Sequence, residues 1–215
     1  STMLLTLTAA AAVAAVAAAS HRGVDVSQRV SDTTARCLHG KGYDFAVVRC
    51  SRSTGSVDPA APASIRAFHS ANFRHVDVYH FPHPHGNDPE GEIDRSVAAL
   101  KGAGVSFGMY WLDIEGSQYW HTSKSANADF FNRLLARCKH HGLSCGVYSN
   151  WVQWAAIFDR SFTGGSSVPI WYAHYDNRQT FSDFKPFGGW SHPSIKQYQG
   201  DVTVCGFGID ANWYP

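Results

Sequence analysis

The residues best suited to chemistry are two acids one position apart, Asp113 and Glu115, in the stretch WLDIEG at 111–116. The apolar run at 105–112 predicts a buried parallel strand. Because side chains alternate along a strand, both carboxyl groups should face the same way at its carboxyl end, where α/β barrels place their active sites. Neighbouring carboxylates disfavour each other's ionisation, which keeps one protonated near neutral pH. Such a pair suits hydrolysis of a glycosidic bond, although acidic pairs that merely face solvent are more common.

The elements that would position these acids alternate between strands and helices. Apolar runs predict strands at 23–27, 45–50, 76–81, 106–115 and 143–149, with helical patterns between them and at 151–158. Three more strands are predicted at 169–175, 194–198 and 207–210, without intervening helices. Five βα units followed by three strands predict a single α/β domain, a TIM-like (β/α)5(β)3 barrel over residues 20–215.

Two further acids, Asp25 and Asp210, lie on the first and last predicted strands. In a barrel the carboxyl ends of different strands converge on one pocket, so all four acids are expected at strand ends around the same mouth. If the sheet closes, Asp25 and Asp210 become neighbours. Four carboxyl groups in one pocket are costly unless they are used, which favours a hydrolase.

Seven short motifs run in order along residues 22–215. They are GVDVS at 23–27, DVYHF at 77–81, WLDIEG at 111–116, GVYSN at 146–150, PIWYAHY at 169–175, KQYQGD at 196–201 and GIDANWY at 208–214. In type and order they resemble glycoside hydrolase family 25, the lysozymes of the N,O-diacetylmuramidase type. The stretch at 181–190 and TVCG at 203–206 are similar to the small secreted eukaryotic branch of that family.

The resemblance implies a flattened (β/α)5(β)3 barrel that hydrolyses the β-1,4 bond between N-acetylmuramic acid and N-acetylglucosamine in bacterial peptidoglycan. It implies that Glu115 is the general acid. Asp113 would assist, either by orienting the 2-acetamido group of the substrate or by acting on the anomeric centre directly. Asp25 and Asp210 match acids that hold and polarise that pair. No metal and no cofactor are needed for these roles.

The resemblance also implies a set of substrate-binding residues that stack on the sugar or form hydrogen bonds with it. These residues are Tyr79, Phe81, Tyr148, Trp171 and Gln197. Asp77 shares a strand face with Tyr79 and Phe81 by alternation, and we expect it to be a buried, hydrogen-bonded acid.

The beginning of the chain and its cysteines indicate an oxidising compartment. The alanine-rich run at 3–19 ends in an A-x-A pattern, so residues 1–19 are predicted to be a secretory signal peptide. Residues 1–2 of this segment precede Met3, the expected initiator. Among the five cysteines we expect bridges Cys37–Cys205 and Cys138–Cys145, with Cys50 free. The chain is expected to be secreted or to lie in the vacuolar or lysosomal lumen.

Charge and hydropathy limit the partners. The net charge is +1 at pH 7 and no basic run occurs, so nucleic-acid binding is not expected. No segment after the leader is long and apolar enough to span a membrane. The expected partner is bacterial peptidoglycan, and the chain is expected to act as a monomer.

Two other functions stay open in the sequence. His80, His83 and His85 could ligate zinc together with Asp113, which would make a metal-dependent wall deacetylase or amidase. A secreted lectin that binds peptidoglycan without cleaving it would keep the fold and lose the chemistry.

Overall fold

In the computed structural model, which describes residues 20–215, eight strands close into a barrel in chain order. The strands are β1 His21–Val26, β2 Phe45–Ser51, β3 His75–His80, β4 Met109–Asp113, β5 Ser144–Ser149, β6 Ile170–Ala173, β7 Ile195–Val204 and β8 Phe207–Tyr214. The helices are α1 Asp32–Gly40, α2 Ala61–Ser70, α3 Pro89–Gly102, α4 Lys124–His140 and α5 Trp151–Ile157. The predicted (β/α)5(β)3 barrel is confirmed, whereas the predicted signal peptide lies outside the described residues.

The last strand runs in the opposite direction from the other seven. Strands β1 to β7 pair in parallel, while β8 is antiparallel to both β7 and β1. The reason is the short turn at Cys205 and Gly206, both of which have positive φ, because so tight a connection can join only antiparallel strands. The expectation that Asp210 ends a strand was therefore wrong, since Asp210 lies in the middle of β8.

Capping side chains define where four of the five helices begin. Ser31, Asp88, Ser123 and Asn150 each accept a hydrogen bond from a backbone N–H in the first turn of the helix that follows. The Asn150 cap matters most for the site, because α5 starts directly after β5. It thereby holds the first residues of α5 at the mouth of the barrel, the end at which the parallel strands finish.

Two apolar cores lie on the two sides of the sheet. The larger fills the space between strands and helices, and the smaller fills the barrel with Phe45, Val47, Trp111, Tyr148, Trp171 and Ile195. Gly146 faces the inward Trp111, and a Cβ atom there would come within 2.4 Å of the indole ring. Because aromatic side chains fill the interior in this way, a ligand can enter only at the ends of the barrel.

Both expected disulfides are present. Cys37–Cys205 ties α1 to the turn between β7 and β8, and Cys138–Cys145 joins α4 to β5. Cys50 is a buried free thiol, and burial raises its pKa to about 12. None of the helices within residues 20–215 is long and apolar enough to cross a lipid bilayer.

Candidate active site

A hydrogen-bond network around Asp25 forms one side of the mouth. Its Oδ2 accepts hydrogen bonds from Asn212 Nδ2 at 2.7 Å and from Gln197 Nε2 at 2.8 Å. The same Gln197 nitrogen lies 3.3 Å from Asp210 Oδ2, and Gln197 Oε1 accepts a hydrogen bond from the Tyr148 hydroxyl at 2.7 Å. Gln197 therefore connects side chains from β1, β5 and β8 to its own strand β7.

Asp113 and Glu115 form the other side of the mouth. Asp113 is the last residue of β4 and is 4% exposed, and its Oδ1 has no hydrogen-bond donor among residues 20–215. The expectation that the strand continues to Glu115 was wrong, because β4 ends at Asp113. Glu115 instead lies in the loop that follows β4 and turns at Gly116, where φ is 65°. The Gly116 N–H donates to Gln153 Oε1 at 3.0 Å. Glu115 is half-buried.

All four carboxyl groups hold their protons more tightly than ordinary acids do. Burial is the largest cause of the raised pKa of each of them. The charge of Asp210 further raises the pKa values of Asp25 and Glu115, and the charges of Glu115 and Asp25 raise that of Asp113. The structure thus brings the four predicted acids into electrostatic contact at one mouth, where a proton is held at higher pH than on an isolated carboxyl group.

Aromatic rings line the floor between the two sides. Tyr148 and Trp171 lie edge to face with centroids 4.6 Å apart, and Tyr79 lies 6.4 Å from Trp171. These rings and Gln197 lie beside the acids, and their role in binding the substrate stays a prediction. The Phe81 ring packs edge to face against Tyr119 in the loop after Glu115.

Two further residues complete the network, and sequence reasoning did not single them out. Asn212 bridges Asp25 to Trp171, whose Nε1 donates to Asn212 Oδ1 at 2.7 Å. Tyr175 is 55% exposed, and its hydroxyl donates to Gln197 Oε1 at 2.9 Å. Both lie within the motifs at 169–175 and 208–214, so motif membership was the available signal.

Arg49 is a third residue that was not anticipated. Its charge favours the ionised form of Asp113 and so opposes the rise in the Asp113 pKa. The guanidinium is held by Asp58 Oδ2 at 2.8 Å and by the Ser27 carbonyl at 2.7 Å. A single cation in the apolar run at 45–50 was the signal that could have found it.

The chain is similar to known proteins over most of its length. A family model described as "Lysozyme-like protein 1" matches residues 16–198. A Dictyostelium discoideum protein named "Probable GH family 25 lysozyme 2" is 47% identical over 193 residues, which cover 90% of each chain. The chain belongs to glycoside hydrolase family 25. It is therefore a glycoside hydrolase of the lysozyme type.

Solved structures share the fold of this family 25 chain. A family GH25 lysozyme from Aspergillus fumigatus superimposes with a TM-score of 0.73 at 18% identity, covering 92% of this chain and 94% of that one. The modular autolysin LytC from Streptococcus pneumoniae, in complex with a synthetic peptidoglycan ligand, gives a TM-score of 0.71 at 16% identity. The match covers 91% of this chain and 47% of LytC.

The histidines that suggested a zinc site do not converge in this family 25 chain. His80 is fully buried, and its ring nitrogens lie 3.0 Å from Glu92 Oε2 and 3.0 Å from the Tyr110 hydroxyl. The ring of His85 packs instead against His121. The zinc hypothesis therefore has no geometric support among the described residues.

Asp77 lies at the opposite end of the barrel from the four acids. Its carboxylate accepts hydrogen bonds from Met109 N at 2.8 Å and from Trp111 Nε1 at 3.0 Å. The expectation of a buried, hydrogen-bonded acid is confirmed. Asp77 orients the indole that fills the barrel below the site.

Proposed function

We propose that this family 25 chain is a muramidase that hydrolyses the β-1,4 bond between N-acetylmuramic acid and N-acetylglucosamine in bacterial peptidoglycan. The observation that carries the proposal is the pair at the end of β4. No donor within residues 20–215 reaches the buried Asp113 Oδ1, and Glu115 lies next to it with a raised pKa. A buried acceptor without a partner is costly, so it favours a ligand that brings an N–H group. The 2-acetamido group of these sugars supplies one.

Glu115 is proposed as the general acid that protonates the leaving glycosidic oxygen. Its carboxyl group is only half-buried, so it can reach a sugar in the cleft. Burial and the charge of Asp210 raise its pKa, which keeps a transferable proton available in mildly acidic medium. In a glycosidase this proton transfer neutralises the developing charge on the departing sugar.

Asp113 is proposed to orient and polarise the acetamido group. In the unliganded pair Asp113 competes for the shared proton, because it is the more deeply buried of the two acids. An acetamido N–H that donates to Oδ1 stabilises the charged form of Asp113 and so lowers its pKa. Substrate binding would therefore leave the proton on Glu115, where catalysis requires it.

Asp25 and Asp210 are proposed to line the sugar subsite and to raise the pKa values of Asp113 and Glu115 through their charges. Asp25 and Asp210 share the Gln197 donor, and each has a further donor of its own. Asn212 and Gln197 donate to Asp25, and the backbone N–H of Asp201 donates to Asp210 Oδ1 at 2.6 Å. The sugar would stack on the Tyr79, Tyr148 and Trp171 rings and form hydrogen bonds with Gln197. Phe81 would contribute from the edge of the cleft, next to Tyr119.

Location and assembly follow the same reasoning. The alanine-rich leader at 1–19 and the two disulfides support secretion or delivery to the vacuolar or lysosomal lumen, because disulfides persist in oxidising compartments. One copy of the chain holds all four acids, so a monomer is sufficient for activity.

The decisive experiment identifies the new chain ends in digested peptidoglycan. The purified protein is incubated with insoluble wall, and the reducing ends are counted, reduced with borohydride and identified. A muramidase produces reduced N-acetylmuramic acid, a glucosaminidase produces reduced N-acetylglucosamine, and a lectin produces no new ends. An amidase or deacetylase would release peptide or acetate instead and would lose activity to a chelator.

A further inference from the structure

A groove that the proposed reaction does not use lies beside the mouth of the barrel. It consists of two adjoining cavities of about 200 and 420 Å3, which share Trp151, Lys185 and Phe187 in their walls. The hydrogen bond from Gly116 N to Gln153 Oε1 ties α5 to the loop of Glu115. We call these two cavities the α5 groove, and it opens on the same face as the four acids.

The α5 groove exposes apolar side chains that a folded chain would otherwise cover. Trp151 is 58% exposed and Val152 is 53% exposed. The cap at Asn150 holds both at the first turn of α5, so their exposure is built into the fold. An exposed tryptophan at the edge of a binding cleft indicates contact with a ligand.

The α5 groove also carries cations without counter-charges. Lys185 and Arg160 are exposed, and neither forms an ion pair within residues 20–215. Asp183, the acid in the groove wall, already pairs with the buried Lys196 at 2.8 Å and with His174 at 2.6 Å. Burial acts in the opposite direction, but these hydrogen bonds lower the pKa of Asp183 to about 2.

We propose that the α5 groove binds the acidic peptide arm of the peptidoglycan strand whose glycosidic bond lies over the four acids. The inference rests on the proposed function. In a strand that carries peptide arms, the N-acetyl sugar units themselves are neutral. The peptide arms carry free carboxylates and small alkyl side chains. Lys185 and Arg160 complement the carboxylates, and Trp151 with Phe187 covers the alkyl groups. A sugar in this groove would leave both cations without a counter-charge.

The test compares glycan strands that carry peptide arms with the same strands after an amidase has removed the arms. Lys185→Glu and Trp151→Ala should each lower kcat/KM by about tenfold on strands with arms, as expected for one lost charged or aromatic contact. On stripped strands the change should stay below about twofold, because the acids are untouched. Lys185→Arg should behave like the wild type. Lys101→Glu, at the far end of α3, is the control for the change in charge.

Two results would overturn the proposal. An equal loss on both kinds of strand would assign the groove to the glycan itself, including the lactyl carboxylate that the amidase exposes on N-acetylmuramic acid, and no loss on either would leave the groove without a role in substrate binding. Calorimetric titration of the inactive Glu115→Gln variant with the isolated peptide arm separates this proposal from the proposed function. Binding that Lys185→Glu abolishes supports the groove even if no glycan is cleaved, whereas absence of new reducing ends with the wild type refutes the muramidase alone.

Discussion

Asp25 on β1 and Asp210 on β8 lie opposite each other in the antiparallel register that closes the barrel. The pairing that completes the fold therefore also brings two acids of the candidate site together. Gln197 Nε2 donates to both carboxylates and reduces the cost of placing them side by side. Repulsion from the Asp210 carboxylate is the second cause of the raised pKa of Asp25, after burial. The strand pairing that closes the sheet therefore also brings the two charges of the site together.

Replacing Glu115 by glutamine should abolish turnover while substrate still binds. Glutamine keeps the shape of the side chain but has no transferable proton, so kcat should fall by roughly 10²–10⁴-fold. Release of reducing ends and co-sedimentation with insoluble wall measure the two effects separately. Glu90→Gln, which breaks a surface ion pair with Arg133, is the matched control and should keep full activity. Full lytic activity in Glu115→Gln would contradict the assignment.

The other three acids should differ in how much their loss costs. Asp113→Asn should be comparably severe, because its proposed role requires a negative charge beside the reacting sugar. Asp25→Asn and Asp210→Asn should lose less, since these side chains orient and tune the pair without transferring atoms. Values of kcat for the three variants on one soluble substrate give the ranking. A larger loss for Asp25→Asn than for Asp113→Asn would reverse the assigned roles.

The pH dependence should differ between the free and the substrate-bound protein. Glu115 must be protonated, and its raised pKa places the alkaline decline of activity above the ordinary value of 4.5. Asp113 must be ionised, so activity also declines as pH falls through the pKa of Asp113. Because a substrate N–H lowers that pKa, the acidic decline should lie at lower pH in kcat than in kcat/KM. If kcat and kcat/KM declined at the same acidic pH, substrate binding would not lower the pKa of Asp113. The proposed shift of the shared proton from Asp113 to Glu115 would then be excluded.

The configuration of the product tests the role of Asp113 directly. Assistance by the acetamido group predicts retention, so the first product should carry the β-anomer at its new reducing end. Proton NMR of a fresh digest, recorded before the anomers equilibrate, reads this directly. The α-anomer would instead indicate an activated water, with Asp113 as its base.

The two disulfides should contribute unequally to stability. Cys37–Cys205 closes a loop of 168 residues and Cys138–Cys145 a loop of 7. The loop-entropy relation predicts a loss of about 5 kcal/mol in the free energy of unfolding without the long bridge and about 2 kcal/mol without the short one. Urea unfolding of the Cys37→Ser/Cys205→Ser and Cys138→Ser/Cys145→Ser double variants measures both losses. The opposite order would show that the chain-entropy description does not hold for this barrel.

The sequence was sufficient to predict the barrel and the four acids. Strand and helix periodicities are local properties, and five βα units followed by three strands leave few ways to close a sheet. Asp25, Asp113 and Glu115 could be assigned to one mouth because parallel strands end on one face, whereas Asp210 lies in the middle of the antiparallel strand β8. Both bridges were expected as well.

Tertiary structure alone decided how the acids are held. The direction of β8 and its register with β1 place Asp210 opposite Asp25, and the hydrogen bonds of Gln197 and Asn212 follow from that register. Glu115 reaches the site from a loop, although alternation along a strand was expected to place it there. Such contacts join residues up to 187 positions apart, so no local pattern encodes them. Side-chain types specified which chemistry was available, and closure of the sheet determined which groups meet.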